Sequence, residues 1–269
     1  MILALLALAA QPAPAAQPAP AAASADEQTY RACTDTVRAA PEKAVQTASE
    51  WQARGGGIFA RQCLGLAYVQ LERWPSAAAA FESAALEAEK TQDPRRSDFW
   101  VQAGNSWVAA GNAANARKAF DAALATGALS SELRGEVHLD RARAGVMLND
   151  LSGARRDIDR GLELVPADPF AWYLSAALAL RQSDLKRAQT DVAKALSMAP
   201  QDADILLLAG NVAGLSGSTD AARTFYGRAA EAAPGSPAAR SAEAALAANP
   251  PAAAPAPAAA PAPVPPKKS

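Results

Sequence analysis

Between residues 58 and 234, large apolar, small and polar positions recur in a fixed order. Trp100, Ala103-Gly104 and Trp107 are followed by Ala116, Phe120 and Ala123; upstream, Leu64-Gly65 and Tyr68 precede Ala77, Phe81 and Ala84. Steps of three and four residues put each group on one side of a helix, and the gap between groups marks a turn. Farther along, Pro166, Pro200 and Pro234 stand 34 residues apart, and Ala154, Ala188 and Ala222 keep the same interval. Ala195 and Ala229 repeat it again, with Gly161 in the equivalent place upstream. A period of 34 is the length of one helix–turn–helix unit of a solenoid. Every proline within 26–248 falls where a turn or a helix start is required; Pro75 opens a second helix, and Pro237 follows Ser236 as an N-cap.

These columns resemble the tetratricopeptide signature W-x2-L-G-x2-Y…A-x3-F…P. Later units keep its skeleton through Trp172, Ala188 and Pro200, then through Ala209-Gly210, Ala222, Tyr226 and Pro234. The third unit departs most, with His138 in the tryptophan column and Ile158 in the phenylalanine column. The resemblance implies an all-α, right-handed α-solenoid with five repeats over 58–235. Small residues at Gly65, Gly104, Ala142, Ala176 and Gly210 let the paired helices approach closely. Tyr68, Phe81, Trp100, Trp107, Phe120, Trp172 and Tyr226 fill the space between units. Units beginning near 58, 97 and 135 are spaced by 39 and 38 residues, which predicts longer loops around Thr91–Arg96 and Thr126–Arg134. Residues 26–57 form a degenerate first unit: Tyr30, Cys33 and Val37 share a helix face, a second helix runs from Pro41 through Ala44 and Trp51, and Gly55-Gly56-Gly57 ends it. An Ala-rich helix over 236–248 caps the array, since solenoid ends need covering.

Composition separates this array from its tails. Residues 1–25 carry no charge, and 249–269 carry only Lys267 and Lys268; together they hold twelve of the twenty prolines. The 249–269 segment is therefore expected to be disordered. The run MILALLALAA is too short to span a bilayer but matches the apolar part of a secretory signal, with Ala7-Leu8-Ala9 and Ala23-Ser24-Ala25 as cleavage sites, although no basic residue precedes it. Residues 1–25 are thus expected to be a signal peptide and linker, and the protein an exported, periplasmic one. Nothing beyond them is apolar enough to form a transmembrane segment. The 24 basic and 27 acidic residues of 26–248 nearly cancel, which argues against nucleic acid as a partner.

Cys33 and Cys63 are the two cysteines, and in an oxidising compartment they form a candidate disulfide. They sit on the first helices of adjacent units, which pack side by side. With one histidine, His138, no Ser–His or Cys–His nucleophile and no four-ligand zinc site can be assembled. No catalytic, cofactor-binding or metal-ligating residue is expected, and the chain is not expected to be an enzyme. Arg155-Arg156, Asp157, Asp159 and Arg160 fit a solvated helix face with i,i+4 pairs. What remains is a surface. The resemblance implies a concave groove lined by first helices: Gln62, Leu66 and Val69; Val101, Asn105 and Val108; Leu139, Arg143 and Val146; Phe170, Tyr173 and Ala177; Leu207 and Asn211. Such a groove suits an extended peptide or an amphipathic helix, so the expected role is a protein-binding scaffold or adaptor of the cell envelope. The alternative is a structural subunit of an envelope assembly or secretion machine.

Overall fold

The structure, a computed structural model, describes residues 24–248. The segments 1–23 and 249–269, with the signal and tail expected there, lie outside the described residues. Within them the chain forms thirteen α-helices and no strand. An N-terminal pair, α1 (Ala25–Ala39) and α2 (Pro41–Ala53), precedes α3 (Gly57–Gln70) with α4 (Trp74–Lys90) and α5 (Arg96–Ala109) with α6 (Ala113–Ala125). Then come α7 (Ser131–Met147) with α8 (Leu151–Leu164), α9 (Pro169–Arg181) with α10 (Leu185–Met198), and α11 (Ala203–Leu215) with α12 (Thr219–Ala232). A last helix, α13 (Pro237–Ala248), packs on α11 and α12. None of these helices is long and apolar enough to cross a membrane.

Local sequence sets the boundaries. Asp150, Asp168, Asp184 and Asp202 each accept a hydrogen bond from a backbone amide of the helix they precede, starting α8, α9, α10 and α11. Ser24 and Glu27 close a capping box on α1. Each of the five later units turns on a left-handed residue seven positions after its small residue: φ is 55° at Glu72, 74° at Gly111, 60° at Asn149, 62° at Ser183 and 79° at Gly217. Only two of these positions are glycine, the residue that takes this conformation without a steric cost.

Packing within a unit follows the small–large pairing. A Cβ added to Gly65, Gly104 or Gly210 would lie 2.6, 2.5 or 2.4 Å from the ring of Phe81, Phe120 or Tyr226. In the other two units Ala142 and Ile158 share one core cluster, and Ala176 and Val192 another, so a smaller partner leaves room for the alanine methyl. Trp100 and Trp107 turn their indole N–H groups to Glu89 and Glu82, both at 2.7 Å.

The wider spacing of the early units is absorbed differently from the sequence expectation. The connections 91–95 and 126–130 are short. The added residues instead lengthen α4 and α7 to 17 residues each, against 13 or 14 for the helices of the last two units. The run from Ala77 to Lys90 is alanine, glutamate and other good helix formers with no breaker, so α4 continues for another turn.

At the N-terminal end, Cys33 and Cys63 form a disulfide between α1 and α3, with their Cα atoms 6.2 Å apart. Val37, Ala44, Ala48 and Ala67 are buried around it. Closing a loop of 30 residues contributes roughly 3–4 kcal/mol by loss of unfolded-state entropy. Tyr30 packs against Phe59, and the Arg95 guanidinium lies 4.6 Å from the Phe59 ring centroid, tying α1, α3 and the loop before α5 together.

Helices of the same rank behave differently. The first helices touch one another at α1–α3, α5–α7, α7–α9 and α9–α11, whereas no two second helices pack to a comparable extent among the described residues. First helices therefore crowd the inside of the curve, and second helices splay on the outside.

Candidate functional site, the concave face

The crowded inner side presents a row of first helices, and most of the sequence-predicted residues lie on it. On α3, Gln62 and Leu66 are half-buried; on α5, Val101 is half-buried and Asn105 exposed. Arg143 on α7 and Asn211 on α11 are exposed, while Tyr173 and Leu207 are half-buried. Phe170, 44% exposed, stacks on Tyr173 with ring centroids 5.8 Å apart. Asn211 is held in place by the Tyr226 hydroxyl, which donates to its Oδ1 at 3.0 Å.

Leu139 is different. At 2% exposure it belongs to the core of the third unit and offers nothing to a partner. Gly161 explains this: a Cβ there would sit 2.5 Å from Leu139 Cδ2, so the leucine occupies the space that an alanine fills in the last two units.

Two cavities open on this face. One, of about 430 Å³, lies between α5, α7 and α9 and is walled by Val108, Val146, Met147, Ile158, Leu174 and Leu178, with Arg143 and Arg181 at its rim. The other, of about 480 Å³, is mixed: Leu180, Leu215, Ala222 and Tyr226 bound it together with Asn211, Thr219 and Arg223. Met147 and Leu215 are 47% and 68% exposed, unusually open for residues of this type in a folded domain. Met147, Arg181 and Leu215 occupy one column, five residues after the small residue of each unit. Matching of repeat positions extends the lining only four residues past that small residue. A large apolar residue just before the turn is the signal in the sequence that points one position farther.

Charge on this face is uneven. Asp140 lies between Arg143, which it pairs with at 3.0 Å, and Asn105, and its carboxyl is pushed up by burial against the pull of both partners. Glu136 is also pushed up, by partial burial and then by the charges of Glu132, Asp140 and Asp168. Burial raises the Tyr173 hydroxyl, helped by Asp204 and Asp202. The N-terminal ends of α7, α9 and α11 thus form an acidic edge, while the opposite edge is apolar with two arginines.

His138 holds a structural position. Its Nδ1 lies 3.0 Å from Asp157 Oδ1, and Arg141 joins Asp157 to Asp121. Arg156 and Arg160 are exposed and Arg155 pairs with Asp159 at i,i+4, as a solvated face requires, but Asp157 and Arg155 are only 13% and 14% exposed and reach inward. Beyond it, Arg187 bridges Asp159 and Asp191, and the Ser175 hydroxyl donates to Asp191 at 2.5 Å. Ionic contacts here connect α7, α8, α9 and α10, where an aromatic column is missing.

The sequence profile of the tetratricopeptide repeat matches residues 64–131 and 173–237. No curated protein matches the chain. Among solved structures it is similar to PilW, a widely conserved type IV pilus biogenesis factor, with a TM-score of 0.66 at 18% identity, covering 81% of this chain and 98% of that one. It is similar to PilF of Pseudomonas aeruginosa, with a TM-score of 0.63 at 15% identity and coverage of 82% and 97%. A third is YrrB, a tetratricopeptide-repeat protein with an unusual peptide-binding site, with a TM-score of 0.51 at 19% identity and coverage of 76% and 98%. At these identities the likeness is one of fold, and it agrees with the repeated small–large packing and the recurrent left-handed turn. The chain belongs to the tetratricopeptide-repeat family.

Proposed function

We propose that this protein is a non-catalytic scaffold that holds a segment of a partner protein against its concave face. The observation that carries this is the pair of open cavities along the first helices, one mainly apolar and one mixed, with Met147 and Leu215 exposed beside them. Exposed apolar side chains around preformed recesses are what a docking groove requires. Tetratricopeptide-repeat proteins are in general non-catalytic binding scaffolds, in keeping with this reading.

An exported, periplasmic location accompanies it. The support is the Cys33–Cys63 disulfide, because such bonds persist in oxidising compartments. Cell fractionation with sequencing of the mature N-terminus tests this; a cytosolic protein that begins at Met1 would refute it. A structural subunit of an envelope assembly is the alternative, and similarity in fold to a type IV pilus biogenesis factor is what favours it.

Site-specific photo-crosslinking in cells separates the two. A crosslinker at Met147 or Leu215 should capture one and the same partner, and one at Lys118, on the outer helix α6, should not. Capture from Lys118 alone would favour the assembly reading over the groove.

A further inference from the structure

If the concave face is a docking groove, as proposed above, its two cavities and the charges between them narrow the chemistry of the occupant. Arg143 already shares its charge with Asp140. Arg181 does not: its guanidinium meets only the side-chain amide oxygen of Asn149, at 3.3 Å, and no carboxylate lies within ion-pair distance of it among the described residues. Arg181 edges the first cavity, and its neighbour Leu180 lines the second, which Leu215 borders on the far side. Arg181, with no carboxylate partner, therefore stands between a mainly apolar recess and a mixed one, whose apolar wall is Leu180, Leu215, Ala222 and Tyr226 and whose polar wall is Asn211, Thr219 and Arg223. The recesses belong to successive first helices, which pack roughly 8–10 Å apart, so their centres are separated by about 10 Å. Across the groove, Glu132 and Glu136 have no cation within pairing distance among the described residues and repel negative charge from that edge.

We propose that the groove takes an internal, acidic segment of a partner protein. Two aliphatic or aromatic side chains about 10 Å apart fill the recesses, and an aspartate or glutamate between them pairs with Arg181. The segment is internal because the charge that meets Arg181 is flanked by an anchor on each side; a terminal carboxylate would have an anchor on one side only. The acidic edge fixes its orientation, since a carboxylate turned the other way would face Glu136.

The test uses the full chain and a displayed library of random peptides with constant sequence at both ends, so that no random segment carries a free terminus. Enriched peptides should show an apolar–acidic–apolar order. Arg181→Gln should weaken the best of them about five- to tenfold, the effect of roughly 1 kcal/mol. Arg181→Glu should switch the selected central residue to lysine or arginine. Circular dichroism confirms that each variant folds, and if Arg181→Glu does not, Arg181→Gln still decides. Enrichment of basic or uncharged peptides overturns the proposal, as does indifference to Arg181→Gln. Binding seen only with a library that ends in free carboxylates would also overturn it. If no peptide is enriched while Met147 and Leu215 still crosslink a partner in cells, this proposal fails and the groove reading stands. If those crosslinks fail as well, both fall.

Discussion

At the scale of single residues, the same substitution should have opposite effects at two glycines of this chain. Gly104 faces Phe120 so closely that an added methyl would have to displace the ring, whereas Gly227, within α12, has nothing within 4 Å of the place where a Cβ would go. Gly104→Ala should therefore cost about 1–3 kcal/mol by overpacking. Gly227→Ala should add up to about 1 kcal/mol, because alanine restricts the unfolded chain and favours helix. Urea unfolding of both variants measures this, and equal signs would refute the packing account. Glycines facing aromatic rings were legible in the sequence, because both columns repeat with the period of the fold. Leu139 was not. Its column is half-buried in the other units, and only the missing methyl at Gly161, one helix away in sequence, lets it sink into the core.

At the scale of elements, ionic contacts take over where aromatic ones lapse. Asp157 on α8 loses solvation in the interface, yet His138 and Arg141 of α7 more than offset this and hold its carboxyl below the usual range. A carboxyl depressed in the folded state stabilises the protein above its unfolded pKa and loses that contribution as pH falls through the folded value. Asp157→Asn should thus cost about 1–2 kcal/mol at neutral pH, with the difference from the parent closing as pH drops below about 4. Thermal unfolding of both proteins across that range tests the sign. At the N-terminal end, reducing the Cys33–Cys63 bond should release α1 and α2 while the helices from α5 onward stay protected. Amide exchange in reductant would show this as selective loss of protection over 25–53; uniform loss would mean that the array unfolds as one unit. Helix order and pairing could be derived from the 34-residue period, and the disulfide from two cysteines on successive first helices. Helix length could not. The distinction between a longer loop and an extra turn of α4 depends on helix propensity against an unmarked stop, and the spacing alone does not contain it.

For the whole molecule, stability is passed from neighbour to neighbour and both ends need closing. α13 covers Leu206, Tyr226 and Ala229 with Ala242 and Leu246. A chain ending after Gly235 should expose that patch and self-associate, detectable by light scattering after size-exclusion chromatography; a monomeric, equally stable product would deny α13 its capping role. The groove shares this serial construction. Matching repeat positions finds the face on which most of the candidate residues lie, but the column of Met147, Arg181 and Leu215 emerges only once the helices are seen to run on to the turn.

Because each helix pair touches little beyond the next, the array has the makings of a spring. Most inner helices bear on one another, and among the described residues no outer ones do so to a comparable extent, so a pull along its length can open the curve by small rotations at each seam before any core is breached. A bound segment crossing α7, α9 and α11 would lock two of those seams at once. The Cys33–Cys63 bond fastens another covalently, so strain applied across the ends would be borne first by the seams between α3 and α7 and by the C-terminal cap.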